Sequence, residues 1–395
     1  MKPRILLLGG IVPNKTCGAM LALYRHFIQR DDFVVAVASS NASISLANCN
    51  FSIEKGPLLA RLQRSRFSQL LFNVEIFLHW SWLPKDLYRF AQAFRPNAIF
   101  HVPDNWHPGL AWQLSKRLGI PLITDFQDLT PLSRFDPHYC RPYPPVCQWL
   151  LERYRFLNEK SDLVFYTSKG MKRWFGERST GPVLFPIGSR DASASQANTE
   201  TIPTTRKLNL TYAGNSYGAY GRMLRRLART LKNHPHIQLR IFPVGRDWPE
   251  DEIKDYEQAG IWQAFKPFEE LQADFRQSDA FLSVMSFEPS ERSFVETSFT
   301  TKILDYVPYS KPIVFWGPEY STGVAFAKEE KCGLTVTRDD PEFLVTELVA
   351  LAGRTRDWQE MCANVQRVAE SSLNPDVIHR VLVRHVHDLL RTSEN

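Results

Sequence analysis

Short apolar runs alternate along the chain with stretches whose apolar residues recur every three or four positions. Arg4–Gly10 opens the series, and Phe33–Ala38, Ala98–Val102, Pro121–Asp125, Leu163–Thr167 and Pro182–Ile187 continue it. The intervening segments have helical spacing, as in the helix carrying Leu21, Leu23, Phe27 and Ile28. A second series begins at Leu208–Gly214 and runs through Leu239–Val244, Trp262–Phe265, Ala280–Met285, Pro312–Phe315 and Gly333–Val336. About six strand-like runs in each half, separated by helices, predict an α/β protein of two Rossmann-like domains. A chain of 395 residues is long enough to give each its own core.

The boundary between the halves is compositional. Over 189–207 Ser, Ala, Thr, Asn and Gln replace the large apolar residues, which predicts a linker between an N-terminal domain (1–188) and a C-terminal domain (208–373). Asn374-Pro375 then breaks the preceding helix, and 374–395 forms a last helix that can return to the first domain. Two such domains are expected to face one another across a cleft lined by the carboxyl ends of their strands.

Residues 58–90 depart from the general pattern. Phe67, Leu70, Leu71, Val74, Leu78 and Trp82 make one helical stripe, and Phe72, Ile76, Trp80 and Leu83 make another. Arg61, Arg64 and Arg66 precede them and Lys85 and Arg89 follow. One stripe suffices for packing on a sheet. The other predicts either a long helix buried on both sides or a peripheral contact with lipid headgroups or a lipid-linked acceptor.

Composition narrows the function classes. A charged fraction of 23% and a hydrophobic fraction of 44% describe a globular chain, and no stretch is apolar enough to span a bilayer. The formal charge of +6 suits a phosphate-bearing ligand or an anionic membrane surface, but no arginine-rich tail or aromatic-interleaved basic stripe points to nucleic acid. The six cysteines are scattered, without Cys-x-x-Cys or zinc-finger spacing, and read as reduced thiols in a cytoplasmic protein.

Candidate chemistry concentrates in Ser298–Gly317, which reads as hydroxyl-rich loop, helix, turn and strand. Ser298 or Thr300 is expected to cap the helix, leaving backbone N–H groups to meet a phosphate together with Thr301. Lys302 falls in the first turn, and Asp305, three residues on, can accept from both hydroxyls of a ribose. In the first half, Asp125-Phe-Gln-Asp128 lies where a strand runs out into a loop, which makes Asp128 the candidate general base. His101 and His107 are its rivals, read otherwise as surface or loop residues. Gly10 and Gly18 allow close approach of a ligand or merely a tight turn, and the full G-x-G-x-x-G fingerprint of a tightly bound dinucleotide is missing. There is no P-loop, His-Glu-x-x-His, Gly-x-Ser-x-Gly or Asp-x-Asp pattern, so no metal is expected and a departing diphosphate would be met by backbone dipoles and bases.

These features together resemble the GT-B class of sugar-nucleotide glycosyltransferases, especially family 4-like enzymes. The matching residues are Gly9, Gly10 and Gly18, Asp162–Lys169, Tyr212–Gly214, Ser278–Phe281, Thr301-Lys-Ile-Leu-Asp-Tyr306 and Lys311-Pro-Ile-Val314. The resemblance implies transfer of a sugar from a nucleoside diphosphate sugar, UDP-sugar favoured, to a hydroxyl of a glycan or glycolipid. It places a ribose-binding carboxylate at Asp305. The family's second glutamate would fall at Thr297, and the arginine–lysine pair expected after Gly214 is replaced by Asn215, with Arg222 the nearest base. The stretch around Ser298–Tyr306 is also similar to the xanthan-type glucuronosyltransferases, an inverting group. That similarity implies roles for Lys302, Asp305 and an aromatic at Phe287, and puts the catalytic aspartate at Asp128. A sugar-nucleotide epimerase and a non-catalytic partner subunit share the same fold expectations.

Overall fold

The computed structural model describes residues 2–15, 18–40, 49–53, 67–132, 142–189 and 206–393. Cys17, Cys140, the three arginines at 61, 64 and 66, and most of the 189–207 segment lie outside them. The chain divides into unit 1, comprising Met1–Ile187, Thr297–Phe299 and Ile378–Asn395, and unit 2, comprising Gly188–Glu296 and Thr300–Val377.

Unit 1 is built on six parallel strands: β1 (Arg4–Leu8), β2 (Val34–Ser39), β3 (Phe51–Ser52), β4 (Ala98–His101), β5 (Leu122–Phe126) and β6 (Leu163–Tyr166), in the spatial order β3-β2-β1-β4-β5-β6. Ile5, Leu6, Ile99, Leu122, Ile123 and Phe165 are fully buried, because helices cover both faces of a parallel sheet and leave no side for polar residues. The helices are α1 (Gly18–Phe27), α2 (Ser68–Ser81), α3 (Lys85–Phe94), α4 (Pro108–Leu118), α5 (Pro144–Lys160) and α6 (Lys169–Phe175). The expected strand at 182–187 contributes only the bridge Tyr166–Val183, and Pro186 has no N–H with which to extend it.

Unit 2 has five parallel strands, β7 (Leu208–Ser216), β8 (Ile237–Arg246), β9 (Ala280–Val284), β10 (Ile313–Trp316) and β11 (Gly333–Val336), ordered β11-β10-β9-β7-β8. Its helices are α7 (Gly218–Leu231), α8 (Glu250–Gln258), α9 (Phe268–Gln277), α10 (Arg292–Thr297), α11 (Lys302–Tyr306), α12 (Thr322–Glu330), α13 (Pro341–Ala352) and α14 (Thr355–Glu370). The run at 262–265 is again a single bridge, Ile241–Trp262, and its last residue, Phe265, is exposed.

The final helix, α15 (Pro375–Ser393), starts in unit 2 and belongs to unit 1 from Ile378 onward. Within unit 1 its His379 stacks on His26, with the two Nδ1 atoms 3.0 Å apart, and its Nε2 lies 2.9 Å from Asp32 Oδ2. Phe33 and Phe165 pack on His387 and His385.

The 58–90 segment corrects the expectation of one long, doubly buried helix. The described part is two helices, α2 and α3, separated at Trp82-Leu83-Pro84, where Pro84 supplies the break. Ile76 and Leu83 of one stripe are buried, while Phe67, Leu70, Val74, Leu78 and Trp82 of the other are exposed. No helix among the described residues is long and apolar enough to cross a membrane.

Candidate functional site

In each sheet the strand order reverses once, and it is at the carboxyl ends flanking that reversal that diverging loops leave a crevice. In unit 1 the reversal lies between β1 and β4. There Gly10 N–H donates to Asp104 Oδ2 at 2.9 Å, and the backbone N–H groups of Trp106 and His107 donate to Asp104 Oδ1, each at 2.7 Å. His107 Nδ1 lies 2.6 Å from Asp104 Oδ2, so the imidazole presents its proton to the carboxylate and turns Nε2 toward Ser40 Oγ, 3.0 Å away. Burial works to raise the Asp104 pKa, but the charge and hydrogen bonds of His107 outweigh it and hold the carboxyl far below the usual range.

A Cβ on Gly10 would stand 2.6 Å from Asp104 Oδ2, so glycine is what lets the backbone close on this pair. Gly18, by contrast, has φ +51° with open space around it, and serves the turn into α1. The two histidines are not surface residues. His107 is buried by the loop that Asp104 organises. His101 is wholly buried, with Nδ1 2.7 Å from the Leu8 carbonyl, and burial lowers its pKa to about 4, which makes it a neutral core residue instead of a base. Asp104 itself escaped the sequence reading. The available signal was an Asp-x-x-His spacing directly after a strand whose sheet neighbour ends in Gly9-Gly10.

The carboxyl end of β5 carries a second acidic group. Asp125 is buried with Oδ2 accepting from Gln127 Nε2 at 2.7 Å, and Oδ1 has no partner among the described residues. Burial, opposed by that hydrogen bond and assisted by the charge of Asp128, raises its pKa to about 7. Asp128 is half-buried and also raised by burial, against a hydrogen bond that Ser298 Oγ donates to its Oδ1.

Ser298 therefore does not cap the helix that follows it. It belongs with Thr297 and Phe299 to unit 1, where Ser168 Oγ donates to the Thr297 carbonyl and Phe299 packs on Phe185. Nor does Thr300 provide a cap: α11 starts from Thr301 without any side-chain cap, the carbonyls of Thr300 and Thr301 accepting from Ile303 and Leu304.

In unit 2 the reversal falls between β7 and β9. Tyr306 fixes α11 against it, its hydroxyl accepting from Ala213 N–H at 2.9 Å and its ring stacked on Phe281 at 4.5 Å and 6°. One turn earlier, Lys302 is thereby laid along the end of β7. Its Nζ sits 5.3 Å from the Tyr212 ring and 5.6 Å from the Tyr220 ring, and makes no hydrogen bond or ion pair among the described residues. Burial pulls its pKa down to about 8, against the charge of Asp305. Asn215, near the end of β7, accepts from Tyr217 N–H through Oδ1 at 3.0 Å, and its buried Nδ2 has no partner among the described residues.

The remaining sequence candidates have partners of their own. Arg222 on α7 pairs with Glu288 on the surface. Phe287 follows β9 and tilts toward Trp316 at 6.3 Å. Lys311 is structural: its ammonium donates to the carbonyls of Phe275, Arg276 and Ser278, closing the carboxyl end of α9.

Two parallel sheets, each reversing once and each carrying polar groups at its reversal, define the GT-B glycosyltransferase fold. Among solved structures, HepE of Anabaena in complex with UDP is similar over 98% of this chain and 100% of its own, with TM-score 0.63 and 14% identity. Sucrose-phosphate synthase from Thermosynechococcus elongatus matches 99% of this chain and 100% of its own, with TM-score 0.69 and 12% identity. The lipopolysaccharide outer core galactosyltransferase WaaB, in its apo form, matches 98% and 99%, with TM-score 0.61 and 12% identity. No family model matches the chain, and no curated protein matches it in sequence. At these identities the likeness is one of fold.

Proposed function

We propose that this chain is a glycosyltransferase that moves a sugar from a nucleoside diphosphate sugar, with UDP-sugar favoured, to a hydroxyl of a glycan or glycolipid acceptor. The observation that carries the reading is Lys302, a half-buried cation held at a sheet reversal, with no anionic partner bonded to its ammonium among the described residues. The charge of Asp305 only partly offsets the burial of this ammonium, and a diphosphate bonded to it supplies the closer counter-charge. The HepE–UDP and HepE–UDP-glucose complexes on the same fold support the choice of ligand.

In this reading the acceptor oxygen bonds to the anomeric carbon as the bond from that carbon to the β-phosphate oxygen breaks. Lys302, with the Thr300–Thr301 backbone, stabilises the departing diphosphate, Asp305 and Asn215 hold the nucleotide's sugar side, and Phe287 and Arg222 line its outer part. Asp128 takes the acceptor proton if configuration inverts, as the resemblance of Ser298–Tyr306 to the xanthan-type enzymes suggests. Its raised pKa makes the carboxylate a stronger base, and Ser298 orients it. His107, backed by Asp104, is the alternative base or a contact to the transferred sugar beside Gly10.

Thermal stabilisation by UDP, GDP, ADP and dTDP, with and without Mg²⁺, tests the donor assignment. The expected result is a shift with one nucleotide, UDP first, that disappears in Lys302→Ala and Asp305→Ala. A shift that survives both substitutions removes this stretch from the donor site, and no shift with any nucleotide favours a non-catalytic subunit.

A further inference from the structure

Three neighbouring strand ends of unit 1 bring together a serine, a histidine and an aspartate. Ser40 follows β2, Asp104 and His107 follow β4, and Gly10 follows β1 between them. Ser40 Oγ lies 3.0 Å from His107 Nε2, and His107 Nδ1 lies 2.6 Å from Asp104 Oδ2. Because a carboxylate only accepts, Nδ1 carries the imidazole proton, which leaves Nε2 as an acceptor and makes Ser40 the donor to it. The row therefore runs hydroxyl, base, carboxylate. A nucleophile within hydrogen-bond reach of a base that a third group orients is the signature of an activated hydroxyl, recognised by geometry and not by a sequence motif.

The row is held stiffly. Asp104 Oδ1 accepts from the N–H groups of Trp106 and His107, each at 2.7 Å, and Oδ2 from Gly10 N–H at 2.9 Å, so the carboxylate cannot swing away from the imidazole. The Trp106 ring packs edge-on against that of His107 at 4.6 Å, and a Cβ on Gly10 would stand 3.4 Å from His107 Cε1. Asp104 and His107 are 7% and 2% exposed, whereas Ser40 is half-buried and is the most accessible of the three. A serine present only to satisfy a buried nitrogen has no need of that accessibility. His107 is also the N-cap residue of α4, and the first-turn N–H groups of Gly109 and Leu110 have no acceptor among the described residues. Helix N-terminal N–H groups of this kind favour developing negative charge.

We propose that Ser40, His107 and Asp104 form a nucleophilic triad that gives unit 1 a second activity, hydrolysis of small carboxylic esters. Ser40 Oγ bonds to the acyl carbon while His107 Nε2 takes the hydroxyl proton, and the carbon–oxygen bond to the alcohol then breaks as His107 returns that proton to the leaving oxygen. Water, deprotonated by the same nitrogen, releases the carboxylic acid and restores the serine. The N–H groups at the start of α4 meet the negative charge on the carbonyl oxygen. Burial of the base and its carboxylate restricts the site to small acyl groups. The activity needs only unit 1 and does not rest on the donor reading.

The test is incubation of the full chain with a fluorophosphonate probe, in which Ser40 Oγ would bond to phosphorus as fluoride leaves and His107 takes the proton. The expected result is a single adduct per chain, mapped by mass spectrometry to Ser40, together with hydrolysis of p-nitrophenyl acetate faster than in buffer. Ser40→Ala should abolish both while keeping the wild-type melting temperature and nucleotide response, which separates this activity from donor binding. His107→Gln should slow labelling by about a hundredfold or more, the usual contribution of a general base. Mapping of the adduct in the wild-type chain decides the matter even where a variant folds poorly. No adduct, an adduct on another residue, ester hydrolysis no faster than in buffer, or hydrolysis that survives Ser40→Ala overturns the proposal.

Discussion

The side chain of Lys302 lies against the backbone of Gly214: a Cβ on Gly214 would stand 2.3 Å from Lys302 Cε and 3.0 Å from its Nζ. Gly214 also has φ +135°, where side chains are rarely tolerated. Gly214→Ala is therefore expected to cost about 1–3 kcal/mol of stability and to displace the ammonium. Gly218→Ala is the control, since Gly218 has φ +62° but open space around it. Both variants should melt earlier, but only Gly214→Ala should lose the nucleotide-induced shift. Retention of the shift in Gly214→Ala would separate Lys302 from ligand binding.

Asp104 satisfies four N–H groups at the β1/β4 reversal, three from the backbone and one from His107. An asparagine there keeps one accepting oxygen and leaves at least one buried donor without a partner. Asp104→Asn is expected to lower the unfolding free energy by about 2–4 kcal/mol, read from the urea midpoint at unchanged m-value. Sugar transfer should fall with it, because His107 loses the group that fixes its tautomer. A variant as stable as wild type would mean that the carboxylate does not anchor this loop.

Asp125 gives a pH dependence of the less usual sign. Its folded pKa of about 7 lies above that of the unfolded chain, so through the window from about 4 to 7 the folded state retains a proton the unfolded state has released. Its contribution to stability consequently falls as pH rises through that window and levels off above it. The loss is of order 1–4 kcal/mol by the linkage relation. Asp125→Asn keeps an acceptor for Gln127 and removes the titration. The variant should match wild type near pH 4 and exceed it near pH 8, measured by chemical unfolding at both. Equal stabilities at the higher pH would show that the carboxyl ionises without penalty.

The sheets were legible in the sequence because each central strand is a run of apolar residues that nothing but burial explains, as in Ile5–Leu8 or Ile313–Trp316. Strands marked by a proline or ending in an exposed aromatic, at 182–187 and 262–265, were over-read, since apolar composition alone does not supply ladder partners. The break at Pro84 was visible in principle, but two overlapping stripes disguised it. Which stripe is exposed was not legible, because the polar residues that α2 buries find their partners on Tyr143 and Trp106, far along the chain. The same holds at the site. Lys302 and Asp305 follow from helical spacing, but the pairing of Ser298 with Asp128 spans 170 positions and no local pattern encodes it. Asp104 with His107 is local, yet its meaning comes from Gly10, which only the strand order brings beside it.

Unit 1 is assembled from three separated segments of the chain, whereas unit 2 is interrupted only by the three residues Thr297–Phe299. His26, Asp32, Phe33 and Phe165 each take a partner from α15, far along the chain. Most of unit 2 precedes α15 and can fold before that helix is made, whereas unit 1 stays incomplete until it is. Through that interval the exposed apolar residues of α2 and the surface around His26 and Asp32 that α15 covers belong to the same unfinished unit, which makes the nascent N-terminal half the species expected to depend most on a chaperone.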